Sequence, residues 1–368
     1  MSYLHKKKIF LAIPNLTVGG AEKVYVELVN NLNKEKFKIY LIIFNFDEKN
    51  SKYKINSDVE IINLNKSNVR SGIFKFLFFL NKLKPDIVMS SIIHLNITMA
   101  ILKPFFPKHT KLICRNSNYY SEIIKLTKFS FLTNLLYKLF LNSFDFFIFI
   151  SRDQKKNFLS IFKVPENKSK LINNPLNFDE ITSKSNQTLN KDLFLKDGIN
   201  FVVCGSFKYQ KGFDIMIDAI KNLKEKNIRV LILGSGFKHR VDEIKSKINN
   251  FKLENKIKII GLVDNVFPYF KKADAIIIPS RFEGCCNVLI EALCLQKPII
   301  CTPAPGLAKE LFEVSEGVFM SNNISSNSLL EEIDKFLETK IKKSFSSNIY
   351  KADIKYGIKE YEKVFLRN

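Results

Sequence analysis

Short apolar runs recur along the chain, and most are followed by a turn and then by a segment with helical spacing of its apolar residues. Runs that do not alternate between apolar and polar residues predict parallel strands buried on both faces of a sheet. Because the intervals leave room for helices, each half is predicted to be a doubly wound α/β domain. The predicted strands are 9–13, 40–44, 86–89, 112–114 and 146–150, then 201–204, 230–233, 257–260, 275–278 and 298–301.

A polar stretch between Asn173 and Asn200 interrupts this pattern, and we interpret it as a linker. The predicted domains are residues 1–177 and 178–347. Residues 348–368 are predicted to form one amphipathic helix, because their apolar side chains share a face. Ligands of such sheets bind at the carboxyl ends of the strands, so a cleft between the two domains is the expected site.

The charge of the chain is strongly positive. There are 58 Lys and Arg against 36 Asp and Glu, a net charge of +22. Residues 1–180 hold 28 of these cations and 14 anions, and the remainder holds 30 and 22, so the first half is the more basic. The balance predicts an anionic partner, either a phosphorylated ligand, an acidic membrane surface or nucleic acid. With 46% hydrophobic and 26% charged residues, a disordered or fibrous chain is excluded.

Cysteine usage and hydropathy predict a reduced cytoplasmic protein. The six cysteines lack metal-binding spacing, and most lie in apolar runs. The apolar run behind the basic N-terminus breaks at Pro14, which makes it too short for the core of a signal peptide. No transmembrane helix is expected, since even the apolar stretch 129–150 contains Lys138 and Asp145.

Three strand-to-helix loops carry candidate chemistry. Gly19 and Gly20 let a ligand approach the backbone, although a tight turn has the same composition. In the loop 205–212, Lys211 is suited to a diphosphate, although a solvated lysine is the simpler interpretation. Glu283 and Glu291 lie about two helical turns apart in 279–292, where carboxylates suit sugar hydroxyls and backbone amides suit phosphate. Isolated glutamates there would merely favour the start of a helix.

Further motifs lie between and around these loops. In chain order the set is Gly19-Gly20-Ala21-Glu22, Gly205 with Lys211-Gly212, Gly234-Ser235-Gly236, 261–265, Lys272-Ala273-Asp274, 280–284 with Glu291-Ala292, and Pro305-Gly306. This set resembles the signature of glycosyltransferase family four, and the resemblance covers almost the whole chain. The resemblance implies the GT-B fold, with two Rossmann-like domains facing a central cleft and a final helix crossing back to the first domain. It also implies a retaining transferase that uses a nucleoside diphosphate sugar, with UDP expected, and neither metal nor cofactor; the absence of an Asp-x-Asp pair fits.

The resemblance also implies roles for individual residues. Lys211 would neutralise the leaving diphosphate, and Glu283 would contact the hydroxyls of the transferred sugar; these two are the predicted catalytic residues. Glu291 would hold the ribose, and Gly19 and Gly20 would admit the acceptor and the donor phosphate. Preorganised cations and amides of this kind stabilise the charge that develops on the leaving group.

The chain departs from the family pattern in both halves. Ser206 replaces the usual Arg, and we consider Lys208 a candidate substitute. Arg115 and Asn116 stand where the family often has His, and with His94 they are predicted to contact the acceptor or the sugar. The remaining predicted donor-binding residues are Gly284, Cys285, Cys286 and Asn287.

The predicted function is transfer of a hexose or N-acetylhexosamine to a glycan or lipid-linked acceptor in surface polysaccharide assembly. Lysines lie between phenylalanines in 72–84 and 125–138, which favours contact with the anionic inner face of the cytoplasmic membrane. Most of the apolar residues in these two segments are nevertheless expected to belong to the core. Two other functions stay open: a GT-B epimerase of nucleotide sugars, and a nucleic-acid-binding protein, which only the net charge suggests.

Overall fold

A computed structural model describes residues 6–16, 19–46, 53–189, 193–225, 227–339 and 341–367. The chain divides into two compact units. Unit 1 comprises Met1–Leu176 with Lys351–Asn368, and unit 2 comprises Asn177–Tyr350. Each unit contains a parallel sheet between helices, so the predicted class of two parallel-sheet α/β domains is confirmed.

The sheet of unit 1 has seven parallel strands. They are β1 (Lys7–Asn15), β2 (Phe37–Asn45), β3 (Glu60–Asn63), β4 (Ile87–Ser91), β5 (Lys111–Arg115), β6 (Phe146–Phe149) and β7 (Ser169–Leu171). Their order is β3-β2-β1-β4-β5-β6-β7. The centre of β1 is completely buried because both faces of the sheet are covered, which explains its unbroken apolar run.

The sheet of unit 2 has six parallel strands, and a separate antiparallel pair accompanies it. The strands are β8 (Ile199–Cys204), β9 (Ile228–Leu233), β10 (Ile257–Gly261), β11 (Ala275–Ile278), β12 (Ile299–Cys301), β13 (Ser315–Glu316), β14 (Val318–Met320) and β15 (Phe345–Ser346). The main order is β10-β9-β8-β11-β12-β14, and β13 pairs with β15. Since β8 and β11 are neighbours, the loops that follow them lie side by side.

Helices cover both faces of each sheet. In unit 1, one apolar core lies beneath the second to sixth helices, and the other lies beneath the first and the last helix of the unit. Side-chain caps fix several helix starts; for example, the Asn68 side chain accepts a hydrogen bond from the Ser71 amide. The helices are α1 (Gly20–Asn31), α2 (Val69–Leu83), α3 (Ile93–Leu102), α4 (Tyr120–Lys125), α5 (Ser130–Phe140), α6 (Arg152–Ile161), α7 (Phe178–Ser185), α8 (Phe213–Asn222), α9 (Lys238–Asn250), α10 (Phe267–Lys272), α11 (Asn287–Cys294), α12 (Ser326–Glu338) and α13 (Ile354–Phe365).

The structure differs from the sequence pattern mainly at the edges of the sheets. The strands β3, β7 and β14 were not predicted; each is an edge strand of three or four residues without a long apolar run. The stretch interpreted as a linker contains α7, whose Ile181 is buried. The apolar stretch 129–150 forms α5 and β6, and within the described ranges no helix is long and apolar enough to cross a bilayer.

Candidate active site

The loops after β8 and β11 pack directly against each other in unit 2. Gly212 has a φ of +62°, and a Cβ there would lie 1.9 Å from the Pro279 carbonyl oxygen, so only glycine fits without displacing the chain. The Arg281 amide donates to the Gln210 carbonyl oxygen at 2.7 Å, and the Gln210 side chain donates to the Phe282 carbonyl oxygen at 2.9 Å. These contacts bring together two motifs that are about 70 residues apart in the sequence.

Lys211 and Glu283 form an ion pair where these loops meet. The distance from Lys211 Nζ to Glu283 Oε1 is 2.7 Å, and the two side chains are 20% and 5% exposed. The Ser280 hydroxyl donates to the same carboxylate oxygen at 2.6 Å. Burial opposes the charge on Lys211, but the Glu283 carboxylate outweighs it and raises the pKa of the lysine above its ordinary value. Lys211 is therefore a cation at neutral pH.

A second ion pair supports the same loops from outside. Arg281 donates to both carboxylate oxygens of Asp214 at 2.8 and 2.5 Å, and its guanidinium lies 4.0 Å from the centre of the Tyr209 ring. Although burial acts in the opposite direction, the hydrogen bonds from Arg281 lower the pKa of Asp214 below its usual range. The sequence analysis gave Arg281, Asp214 and Ser280 no separate role, because no local spacing links them.

The start of α11 lies beside this pair. Cys286 precedes the helix with a φ of +61°, and it is buried together with Glu283 and Cys285. Burial raises the pKa of the Cys286 thiol well above its usual value, so the thiol is neutral at pH 7. Glu291, on the second turn of α11, is only 6% exposed. The first-turn amides of a helix have no intrahelical acceptor, which suits an anion.

Ser206, which stands in place of the usual Arg, and Lys208, the candidate substitute, differ in exposure within the loop after β8. Ser206 is half-buried, and its carbonyl oxygen accepts the Lys208 amide at 2.7 Å. Lys208 is exposed and precedes the turn that contains Lys211. A side chain on Gly205 would meet the aliphatic part of Lys211 at 3.3 Å, so the lysine lies along the backbone of that loop.

In unit 1, Gly19 lies at the N-terminus of α1 and is held by a residue that the sequence analysis missed. The Tyr53 hydroxyl accepts the Gly19 amide at 3.2 Å and donates to the Gly19 carbonyl oxygen at 2.9 Å. Gly20 is the first residue of the helix. No sequence signal linked Tyr53 to this turn, since 34 residues separate the two.

The three residues predicted for the acceptor differ in exposure. His94 is exposed near the start of α3, two residues after Ile92, which has an unusual φ of +75° for a β-branched residue. Asn116 is buried; its carbonyl oxygen accepts the Gln154 side chain at 2.9 Å, and among the described residues its side-chain nitrogen has no partner. Arg115 is completely buried.

The Arg115 guanidinium lies among neutral groups of unit 1. It donates to the Tyr361 hydroxyl at 2.9 Å, the Ser91 hydroxyl at 3.3 Å and the Asn174 side-chain oxygen at 2.6 Å. Among the described residues, it forms no ion pair with a carboxylate. These contacts connect β5 to α13, and the predicted contact of Arg115 with the acceptor stays a prediction.

Within the described ranges, no group of three or more His, Cys, Asp and Glu side chains is arranged to hold a metal ion. The loops after β8 and β11 contribute the half-buried ammonium of Lys211, the buried carboxylates of Glu283 and Glu291, and the amides at the start of α11.

Two family models match the chain, one in each half. The model described as "Glycosyltransferase Family 4" matches residues 18–180, and the one described as "Glycosyl transferases group 1" matches residues 185–352. The second match contains both loops of the ion pair, and the first contains Gly19 and Gly20.

Individual relatives and a solved structure agree with these matches. The N-acetylgalactosamine-N,N'-diacetylbacillosaminyl-diphospho-undecaprenol 4-alpha-N-acetylgalactosaminyltransferase of Campylobacter jejuni is 27% identical over 97% of this chain and 96% of its own length. An uncharacterized glycosyltransferase of Methanocaldococcus jannaschii is 31% identical, over 62% of this chain and only 58% of its own length. HepE of Anabaena, solved with UDP and glucose, has a TM-score of 0.78 at 18% identity, covering 98% of this chain and 99% of its own.

Proposed function

The chain belongs to the family 4 type of glycosyltransferase and has the GT-B fold, and from this we propose that it is a retaining hexosyl- or N-acetylhexosaminyltransferase. The proposed donor is a nucleoside diphosphate sugar, with UDP as the nucleotide. The proposed acceptor is a glycan or a lipid-linked glycan in surface polysaccharide assembly. The Campylobacter relative supports this choice, because its name describes sugar transfer to a diphospho-undecaprenol acceptor.

The observation that carries the proposal is the ion pair between Lys211 and Glu283. In glycosyl transfer, the bond from the sugar to the diphosphate breaks, and negative charge grows on the leaving phosphate. A lysine that stays charged and is already held in place stabilises that charge without reorganising. Glu283 orients Lys211 and, in this proposal, accepts a hydrogen bond from a hydroxyl of the transferred sugar.

The other donor contacts are proposed around the same pair. Glu291 accepts hydrogen bonds from the ribose, which suits a carboxylate that is shielded from water. The amides of residues 284–287 bind the diphosphate at the start of α11. Ser206 and Lys208 line the opposite loop, where the exposed Lys208 supplies a further cation.

For unit 1, we propose that Gly19 and Gly20 admit the acceptor and the donor phosphate, and that His94 and Asn116 contact the acceptor or the sugar. Among the residues that the structure describes, the buried side-chain nitrogen of Asn116 has no hydrogen-bond partner, which supports this role for Asn116. The three hydrogen bonds of Arg115 within unit 1 favour a positioning role for it instead.

We also propose that unit 1 attaches to an anionic membrane surface. The α5 apolar face, defined as Phe131, Leu132, Leu135 and Leu139, is exposed, and Phe131 is 80% exposed. These four side chains fall within about one third of the helix circumference. On the same side of the sheet, α2 exposes Phe74 and Phe78. Such an area of exposed apolar surface marks a contact with a lipid or another protein.

Cations beside these aromatic rings favour lipid as the partner. The Lys82 ammonium lies 5.9 Å from the Phe78 ring, and the Lys128 ammonium lies 5.8 Å from the Phe129 ring. Lys138 is exposed on α5. Two other lysines of these segments already have partners within the protein. Lys75 donates to the Leu64 carbonyl oxygen at 3.1 Å, and Lys125 forms an ion pair with Glu122. Interleaved lysine and apolar side chains are typical of proteins that lie on acidic bilayers.

The proposed function is tested with a panel of UDP-, GDP- and ADP-sugars. We expect UDP-sugars to raise the melting temperature of the intact protein, because a ligand that binds only the folded state stabilises it. The stabilising sugar is then incubated with a lipid diphosphate acceptor, and NMR of the anomeric proton reports whether the configuration is retained. Inversion of configuration would contradict the retaining assignment, and an epimerised nucleotide sugar without transfer would contradict the transferase assignment.

A further inference from the structure

An exposed aromatic side chain follows β9, in the loop from Gly234 to Phe237. Phe237 is 73% exposed and is not among the side chains that form either apolar core of unit 2. Its ring stacks on His239, with ring centres 6.0 Å apart and planes at 11°. An exposed phenylalanine outside the core contributes little to folding, so replacing Phe237 should disturb the fold little.

This loop is fixed against the proposed donor-binding loop. Gly234 has a φ of +135°, and a Cβ there would lie 1.9 Å from the Gly205 carbonyl oxygen, so the two backbones touch. The Phe207 amide donates to the Ser235 carbonyl oxygen at 2.9 Å. A side chain on Gly236 would come within 2.6 Å of Phe207 Cβ. Phe237 therefore directly follows a turn, residues 234–236, whose backbone packs on the loop that contains Lys211.

The charges near Phe237 suit an anionic ligand. Lys238, His239 and Arg240 follow it in the first turn of α9, and that turn contains no acidic residue. Arg240 pairs with Glu243 of the next turn at 2.7 Å, so Lys238 is the cation of this turn that is best placed for a ligand. Acidic residues usually favour this end of a helix, because its amides carry partial positive charge. Here nothing in the first turn repels a nucleotide that lies against Phe237.

We propose that Phe237 is a stacking platform for the nucleobase of the sugar donor, an inference that rests on the proposed use of a nucleoside diphosphate sugar. Lys211 would hold the diphosphate in one loop, and the adjoining loop would present an aromatic face to the base. Stacking on an aromatic ring accepts any base, because each base has a π face. Phe237 then contributes affinity for nucleotide, and the choice of base lies with other contacts.

The test compares three variants of the intact protein by calorimetry with UDP. Phe237→Ala and Phe237→Leu are expected to weaken UDP binding about 10-fold or more, and Phe237→Tyr is expected to keep wild-type affinity, because only tyrosine retains the aromatic face. Inorganic pyrophosphate lacks a base. Its own dissociation constant, obtained by competition with UDP, should therefore be the same in all variants. Phe345→Ala, at a 61% exposed position on β15, is the matched control and should bind UDP normally.

Two results would overturn the inference while leaving the proposed function intact. One is an unchanged UDP affinity in Phe237→Ala; the other is a loss of pyrophosphate binding as large as the loss of UDP binding, which would mean that the loop itself had moved. If the wild-type protein binds no nucleotide at all, the proposed function fails first and the stacking role fails with it.

Discussion

Units 1 and 2 share the alternation of strand and helix, but the shielded cations Lys211 and Arg115 have different kinds of partner. In unit 2, Lys211 is paired with a carboxylate at the carboxyl ends of adjacent strands. In unit 1, Arg115 is deeper, and its partners are two hydroxyls and an amide. The first arrangement leaves a cation that can act on a ligand. The second uses all its contacts to connect elements of the fold.

The surfaces differ in the same sense. Unit 1 exposes the α5 apolar face and, beside it in the sequence or on α2, the side chains of Phe74, Phe78 and Phe129. It is also the more basic part of the chain. Unit 2 exposes Tyr209 and Phe237 in the loops that follow β8 and β9. The same architecture would therefore carry the proposed donor site in one unit and the proposed membrane-binding surface in the other.

The largest expected effect is the loss of turnover when Lys211 is replaced. Lys211→Ala should lower turnover at saturating donor by about 10²–10³-fold, because it removes a preorganised cation from the leaving phosphate. Steady-state kinetics measures this, and Lys224→Ala, an exposed lysine of the same unit, should be unaffected.

Removing Lys211 also leaves Glu283 buried without its partner, which destabilises the fold. The double variant Lys211→Ala with Glu283→Gln should therefore regain thermal stability without regaining turnover. Wild-type turnover in either variant would show that the pair is only structural.

Replacing Arg115, in contrast to Lys211, is expected to reduce the stability of the fold and to leave substrate binding nearly unchanged. Arg115→Leu should lower the free energy of unfolding by about 3 kcal/mol, because three buried polar partners lose their donor. Denaturant unfolding measures this loss. The KM for the acceptor, measured on the folded fraction, should change little; a large rise in KM would instead support direct contact with the acceptor.

Glu291→Ala is expected to weaken nucleotide binding by about 1.5–3 kcal/mol, since a carboxylate that holds the ribose makes charge-assisted hydrogen bonds. Calorimetry with UDP measures the change. Glu254→Ala removes an exposed carboxylate of the same unit and serves as the control. Equal UDP affinity in wild type and Glu291→Ala would remove Glu291 from the donor site.

The smallest effect per residue is expected on the surface of unit 1. Replacing Lys82, Lys128 and Lys138 with glutamine should reduce sedimentation with acidic vesicles, because each cation near such a surface contributes about 1 kcal/mol. Glutamine at Lys245, Lys252 and Lys258 of unit 2 removes the same charge and should change little.

High salt distinguishes the electrostatic contribution to vesicle binding from the apolar contribution. The lysine contribution should vanish at 1 M salt, where the Debye length is about 3 Å. Binding that remains should be lost in Phe131→Ser with Leu135→Ser, since it depends on the α5 apolar face. If the wild-type protein ignores acidic vesicles at low salt, the membrane proposal fails and a soluble acceptor becomes the better one.

The pattern of the sequence predicted the centre of each sheet, because a strand covered on both faces must be apolar throughout, as in residues 9–13. It missed β3 and β7, because edge strands are stabilised by a neighbour on one side only and need no apolar run. Likewise, it predicted the loops of Lys211 and Glu283 as separate motifs. Their meeting depends on β8 and β11 being neighbours, which no local spacing encodes.

The sequence by itself therefore determined the fold class, the order of the glycine-rich loops and the residues available for chemistry, because burial and backbone freedom act residue by residue. Only the tertiary structure decided that Tyr53 holds Gly19, that Arg281 binds Asp214, that Arg115 is enclosed, and that α5 keeps an apolar face uncovered. Each of these depends on which distant segments pack together, and a hydrogen bond or an exposed face exists only once that packing is formed.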